Sequence, residues 1–275
     1  MDTTTPFDHD GNLYAVKIQH NIEKWNRTNV SGYVVGGWAG EGAHLSAEDR
    51  EALWAAAAKH AGEGKIVIAA VDRTGVREAA ALASRAAELG CGAVLANSPD
   101  TPRIATLFYQ SLADRSPIPV RIADHVGLPV ETIVGLSRHP NMGGVLEGAG
   151  NVEKVKALAA AVRRGFAVLT GSDQTVWEAL TAGAGGAVLA FASAAPYATI
   201  ALWEAFRTRE EAAGLDWQAR IVCAASRATA RFGVPGIKCA MDVNAYYGGP
   251  PRLPLTVLGP AEKREVEEAF RDLKS

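Results

Sequence analysis

Cysteine is scarce: the chain has three, Cys91, Cys223 and Cys239, an odd total with no C-x-x-C pair. That pattern excludes a disulfide framework, offers no thiolate zinc site and fits a reducing, cytoplasmic setting. Neither sign of charge dominates, with 28 Lys and Arg against 30 Asp and Glu, a net charge of −2 and a pI near 6.3. Without a basic field to hold nucleic acid, small molecules are the expected partners. The first eight residues carry acids and a proline where an export signal needs a basic start and an apolar run. Residues 179–203 carry no charge, a length that could cross a bilayer. Glycines at 183–186 and the Ser-Ala-Ala-Pro at 193–196 cut that run into a short strand, 187–191, and a helix start, so no membrane span is expected. Residues 37–42 have the wrong spacing for G-x-G-x-x-G, and no G-K-[ST] occurs, which disfavours dinucleotide and nucleotide triphosphate binding. The six histidines show neither H-x-H nor H-x-x-x-H spacing, so neither a metal nor a cofactor is implied.

What is present is a repeated strand-loop-helix grammar. Short apolar runs begin at 32, 65, 92, 119, 143, 166 and 186, most of them separated by alanine-rich helical segments. Continuous apolar strands alternating with helices predict a parallel sheet covered by helices, with right-handed connections. Seven units, with residues 3–6 as a short eighth strand, close a (β/α)8 TIM barrel with a truncated first strand, and 275 residues is an ordinary length for one. A helix is predicted over 13–27, and Ser46 caps another that carries Glu48 and Asp49 in its first turn. Beyond the barrel, helices are predicted at 195–209, 215–232 and 261–273 with no strand between them, and 233–239 and 248–254 are rich in turn formers. The expected organisation is a barrel over 1–210 and a C-terminal helical domain over 211–275.

Several local patterns fall in a specific order: Thr5-Pro-Phe-Asp8 with Gly11, Gly37-x-x-Gly-Glu41 with Leu45, a glycine-rich strand end over 143–151, Gly171-Ser-Asp173, Pro235-x-x-Lys238, and Gly249-Pro-Pro-Arg-Leu-Pro254. Together they resemble the dihydrodipicolinate synthase / N-acetylneuraminate lyase family over nearly the whole chain. That resemblance implies a (β/α)8 barrel with C-terminal helices, a homo-oligomer (a dimer, or a tetramer built from dimers), and class I aldolase chemistry on pyruvate or related 2-oxo acids. It also implies that Leu146 stands where the family places its Schiff-base lysine, and Ala123 where it places a proton-shuttling tyrosine. Trp38 and Ala39 stand at the two hydroxyl positions that hold the pyruvate carboxylate, so that with Gly40 only backbone N–H groups remain there. Residues 97–100, starting at Asn97, replace the segment that lends a tyrosine across the dimer. Lys238 is implied to be structural. Schiff-base catalysis needs an amine that can lose its proton near neutral pH inside an apolar pocket. Leucine supplies only apolar area, worth roughly 2 kcal/mol when buried.

In a barrel the carboxyl ends of the strands face the active site. Here those ends carry Glu41, Asp72, Arg73, Asn97, Asp124, His125, Glu147, Asp173 and Ser193. His125 with Asp124 is the best local pair for acid/base work, although neighbouring strand residues normally face opposite sides. Arg121 shares parity with Ala123 and His125, which aims it inward, where it either pairs with an acid or clamps a carboxylate. Trp38 is read as a pocket wall that narrows the cavity. The family resemblance implies that Glu41, Glu147 and Asp173 are mainly structural, capping loops and binding backbone amides. The leading expectation is a divergent lyase-lineage protein with a small carboxylate or 2-oxo-acid pocket at the barrel mouth, lined by Trp38, Ala39, Gly40, Asn97, Arg121, Asp173 and Ser193, and unable to do pyruvate Schiff-base aldol chemistry. Two alternatives stand beside it: a lyase or hydratase using His125, Asp124 and Arg121 without a Schiff base, or a non-catalytic partner of an active paralogue.

Overall fold

A computed structural model describes residues 1–72, 75–99 and 101–273. Seven parallel strands follow one another around a curled sheet in chain order: β1 (Gly32–Val35), β2 (Ile66–Val71), β3 (Ala93–Asn97), β4 (Val120–Asp124), β5 (Met142–Glu147), β6 (Ala167–Thr170) and β7 (Gly186–Ala187). The predicted strand starts hold to within about one residue, as expected where apolar runs are sharply bounded by turn formers. The barrel is closed by residues 1–3 rather than by 3–6. Val34 donates its N–H to the Met1 carbonyl at 2.8 Å, Thr3 donates to Val34 at 2.9 Å, and on the other side Asp2 donates to the Leu189 carbonyl at 3.1 Å. β7 is shorter than the sequence suggests, because Phe191–Ser193 turns into a 3-10 helix.

Period-two alternation sorts the strand residues into two layers. Val35, Val67, Ala69, Val94, Ala96, Val120, Ile122, Val145 and Val168 face the surrounding helices and belong to the main core. Val34, Ile68, Ala70, Ala93, Leu95, Ala123 and Leu146 face inward and form a separate cluster along the barrel axis. Four of the strand-borne or strand-end side chains toward the mouth are small or absent, at Ala70, Ala123, Gly148 and Gly171, which keeps that end of the barrel open.

The outer layer comprises α1 (Ala15–Asn26), α2 (Ala47–His60), α3 (Val76–Glu88), α4 (Pro102–Arg115), α5 (Val130–Ser137), α6 (Val152–Ala161), α7 (Val176–Thr181) and α8 (Pro196–Thr208). The cap expected of Ser46 is a full capping box: its hydroxyl accepts from the Asp49 N–H, and the Asp49 carboxylate accepts from the Ser46 N–H. After α8 come α9 (Glu211–Arg227), α10 (Thr229–Val243) and α11 (Pro260–Ala269). The predicted single helix over 215–232 therefore breaks at Ala228, and residues 233–239 are helical rather than a turn. Gly233 takes φ 61° and ψ −141°, kinking α10, and Pro235 follows at the start of the new run, where a missing N–H is tolerated. Among the described residues no helix is long and apolar enough to cross a membrane.

Four of the sequence patterns meet at α10. Lys238 Nζ lies 2.5 Å from Glu41 Oε1 and 2.9 Å from the Pro250 carbonyl, and the Arg252 N–H donates to Glu41 Oε2 at 2.7 Å. The Arg252 guanidinium reaches Asp49 at 2.5 Å and lies over the Phe7 ring. These contacts tie the C-terminal helices to the loop after β1.

Candidate functional site

A cavity of about 440 Å³ opens at the carboxyl ends of the strands. Its floor is Val34, Ala70, Leu95, Ala123, Leu146 and Val188; its polar wall is Asp2, Asp72, Asn97, His125, Asp173 and Thr229. Leu146 belongs to the inner apolar cluster and presents its side chain to the cavity. Among the described lining residues there is neither lysine nor arginine, whereas three are aspartates. Asp72 is held by Arg50 at 2.7 Å.

The other two carboxyls are unusual. Asp173 follows β6; its Oδ1 is buried without a hydrogen-bond partner, and burial pushes its pKa up to about 7. The loop-capping role expected of it is therefore not what the geometry gives: the Gln218 side chain binds its backbone carbonyl instead. Asp2 is also raised, to about 6, by burial, against the opposing effect of the Ala39 N–H that it accepts at 3.0 Å. Thr229 presents a buried, unpartnered hydroxyl from the first turn of α10. Asp2 and Thr229 escaped sequence reasoning, since neither sits at a strand end and only the closed barrel brings them to the mouth.

The residues singled out from the sequence separate into three groups. Trp38, Asn97, His125 and Asp173 line the cavity with Ala123 and Leu146. Trp38 is 55% exposed, so it flanks the opening rather than filling it. His125 is exposed and lies across Gly148, where a Cβ would come within 2.4 Å of Nδ1 and displace the ring from this position. Ala39, Gly40 and Ser193 lie beneath this surface. The Ala39 N–H is taken by Asp2, the Gly40 carbonyl accepts from Thr5 at 2.6 Å, and the Ser193 hydroxyl donates to the Asp2 carbonyl at 2.7 Å. They position the N-terminal segment and do not line the cavity.

Two residues lie elsewhere. Asp124 faces the helix layer, where its carboxylate forms an ion pair with Lys154 and accepts N–H donors from Gly127 at 3.0 Å and Leu128 at 2.9 Å. A carboxylate so committed is a loop anchor, and it does not share a face with His125. Arg121 points inward as parity predicts, but it sits near the start of β4 and lines a different cavity at the opposite end of the barrel. Glu147 accepts from the N–H groups of Ala149, Gly150 and Asn151, the capping role expected of it. Arg73 lies outside the described residues. No group of three or more His, Cys, Asp or Glu among the described residues could hold a metal ion.

A family model described as the Dihydrodipicolinate synthetase family matches residues 2–273. The chain belongs to that family. It is 27% identical over 275 residues to the 4-hydroxy-tetrahydrodipicolinate synthase of Exiguobacterium sp. (strain ATCC BAA-1283 / AT1b), covering 97% of this chain and 94% of that protein. Crystallographic relatives share the fold. A dihydrodipicolinate synthase from Bacillus anthracis superposes with a TM-score of 0.93 at 22% identity, covering 100% of this chain and 97% of that one. The sialic acid aldolase of Ruminococcus gnavus gives 0.92 at 21% identity, covering 99% of this chain and 95% of that one. This member of the dihydrodipicolinate synthetase family thus has its relatives' barrel, with Leu146 and Ala123 on the cavity floor.

Proposed function

We propose that this protein is a lyase or hydratase of the family that works on a small oxygenated substrate at the barrel mouth without a Schiff base, with Asp173 as the proton-carrying group. One observation carries the reading: a buried carboxyl with a pKa of about 7 and an unpartnered oxygen lines a cavity with no described lysine. A covalent imine needs an amine, and Leu146 cannot provide one. Proton transfer needs only positioned groups whose pKa values lie near the working pH, and Asp173 meets that condition.

In such a reaction His125 accepts the proton beside a substrate carbonyl, and neutral Asp173 gives its proton to the departing oxygen. That step leaves an unsaturated carbonyl compound and water; for carbon–carbon cleavage His125 instead accepts the β-hydroxyl proton as the bond breaks and Asp173 protonates the resulting enolate, giving two carbonyl compounds. The expected 2-oxo-acid carboxylate finds less support: the Ala39 amide is occupied by Asp2, Arg121 is at the other end of the barrel, and the described wall is acidic. A neutral hydroxy or oxo compound fits this wall better. Family members are typically oligomeric, and we extend a homodimer or homotetramer to this chain.

The test is a screen of small hydroxy, oxo and sugar-acid compounds for binding and turnover, repeated with Asp173→Asn and His125→Ala. The account expects activity governed by a group titrating near pH 7 and lost in Asp173→Asn. Activity unchanged in that variant contradicts it.

A further inference from the structure

A second cavity, of about 280 Å³, lies at the opposite end of the barrel and shares only Val34 and Val188 with the lining of the mouth. It is framed by the first residues of strands, Gly32, Ile66 and Gly186, and by Ile200 and Trp203 of α8, while Ile68 and Leu169 form its inner wall. Into this apolar enclosure projects one charged side chain, Arg121. It sits at a register irregularity of β4, paired with Gly144 of β5.

The Arg121 side chain forms no hydrogen bond or ion pair with any described residue, and its Nε is buried without a partner. Burial alone holds its pKa below the ordinary value, and no carboxylate acts on it in the other direction. Arginine is the cation that stays charged in such surroundings, and its planar fork matches a carboxylate. Arg121 is half-buried with its Nε enclosed and unpartnered, and an anion that arrives from outside satisfies a cation so placed.

We propose that this cavity is a second ligand site, which takes a short aliphatic carboxylate. The carboxylate pairs with Arg121, and the hydrocarbon lies along Ile68, Leu169 and Trp203. The volume suits a ligand on the order of ten heavy atoms, taking about 30 Å³ for each water-sized volume. Exposed Asn29 and Ser31 form a polar rim at the entrance.

Hexanoate and its neutral counterpart hexanol are suitable probes, followed by calorimetry on the intact chain. Hexanoate should bind at least tenfold more tightly than hexanol, and Arg121→Met should lose at least tenfold in hexanoate affinity while Asp173→Asn keeps it. Hydrogen exchange on the unmodified protein supplies a readout independent of any variant's folding: hexanoate should protect residues 66–68 and 199–203. No binding, equal affinity for the alcohol, or protection confined to the loops around Trp38 and Asp173 would overturn the proposal. Because this site lies away from the mouth, its failure leaves the reading of Asp173 untouched, and the reverse holds too.

Discussion

Lys238 and Glu41 meet at 2.5 Å with both side chains buried, one from α10 and the other from the loop after β1. Burial lowers the lysine pKa, and the Glu41 charge opposes that shift. Removing one partner of such a pair leaves the other charge uncompensated. Glu41→Gln should therefore destabilise the fold by about 3–5 kcal/mol, read as a shift in the urea midpoint. A loss below about 1 kcal/mol would mean that water reaches Lys238.

The raised pKa of Asp173 sets a pH dependence of stability. An unfolded aspartate titrates near 3.8, and the folded one near 7. Between those values the native state binds the extra proton, so this group's stabilising effect is complete below about pH 4 and is lost as pH rises through about 7. Asp173→Asn should thus stabilise the protein at pH 8, by up to about 4 kcal/mol, and have little effect at pH 4. Asp2, raised to about 6, contributes in the same direction over a lower window. Denaturation of both forms at the two pH values checks this; an equal effect at each would refute it.

Asp124→Asn separates anchoring from chemistry. It weakens the Lys154 pair and two N–H bonds, which should cost about 1–3 kcal/mol. Affinity for a mouth ligand should stay within about twofold of the parent, since the carboxylate faces the helix layer. A selective loss of turnover at unchanged stability would return Asp124 to the site.

Much of this architecture could be read directly from the chain, because apolar runs bounded by glycine and proline mark strand starts sharply. The patterns around Glu41, Lys238 and Arg252 are legible for a similar reason: they are local, and they turn out to be one buried ionic junction. Arg121 shows where such reading ends. Parity along a strand gives the face on which a side chain lies but not its height in the barrel, so an inward arginine could not be assigned to one end. Asp2 and Thr229 reach the mouth only through closure of the barrel and the kink of α10, which are long-range events with no local signature. The pKa of Asp173 depends on its surroundings rather than on its neighbours in sequence.

The central claim is that no lysine at the mouth forms an imine. Incubation with pyruvate and borohydride, followed by intact mass measurement, tests it directly, with Leu146→Lys as a matched control. The account predicts no adduct on the parent chain, where Lys154 and Lys238 are held in ion pairs, and a trapped adduct only when an amine is placed at 146. A stable pyruvate adduct on the parent chain, mapped to any lysine at the barrel mouth, would contradict it.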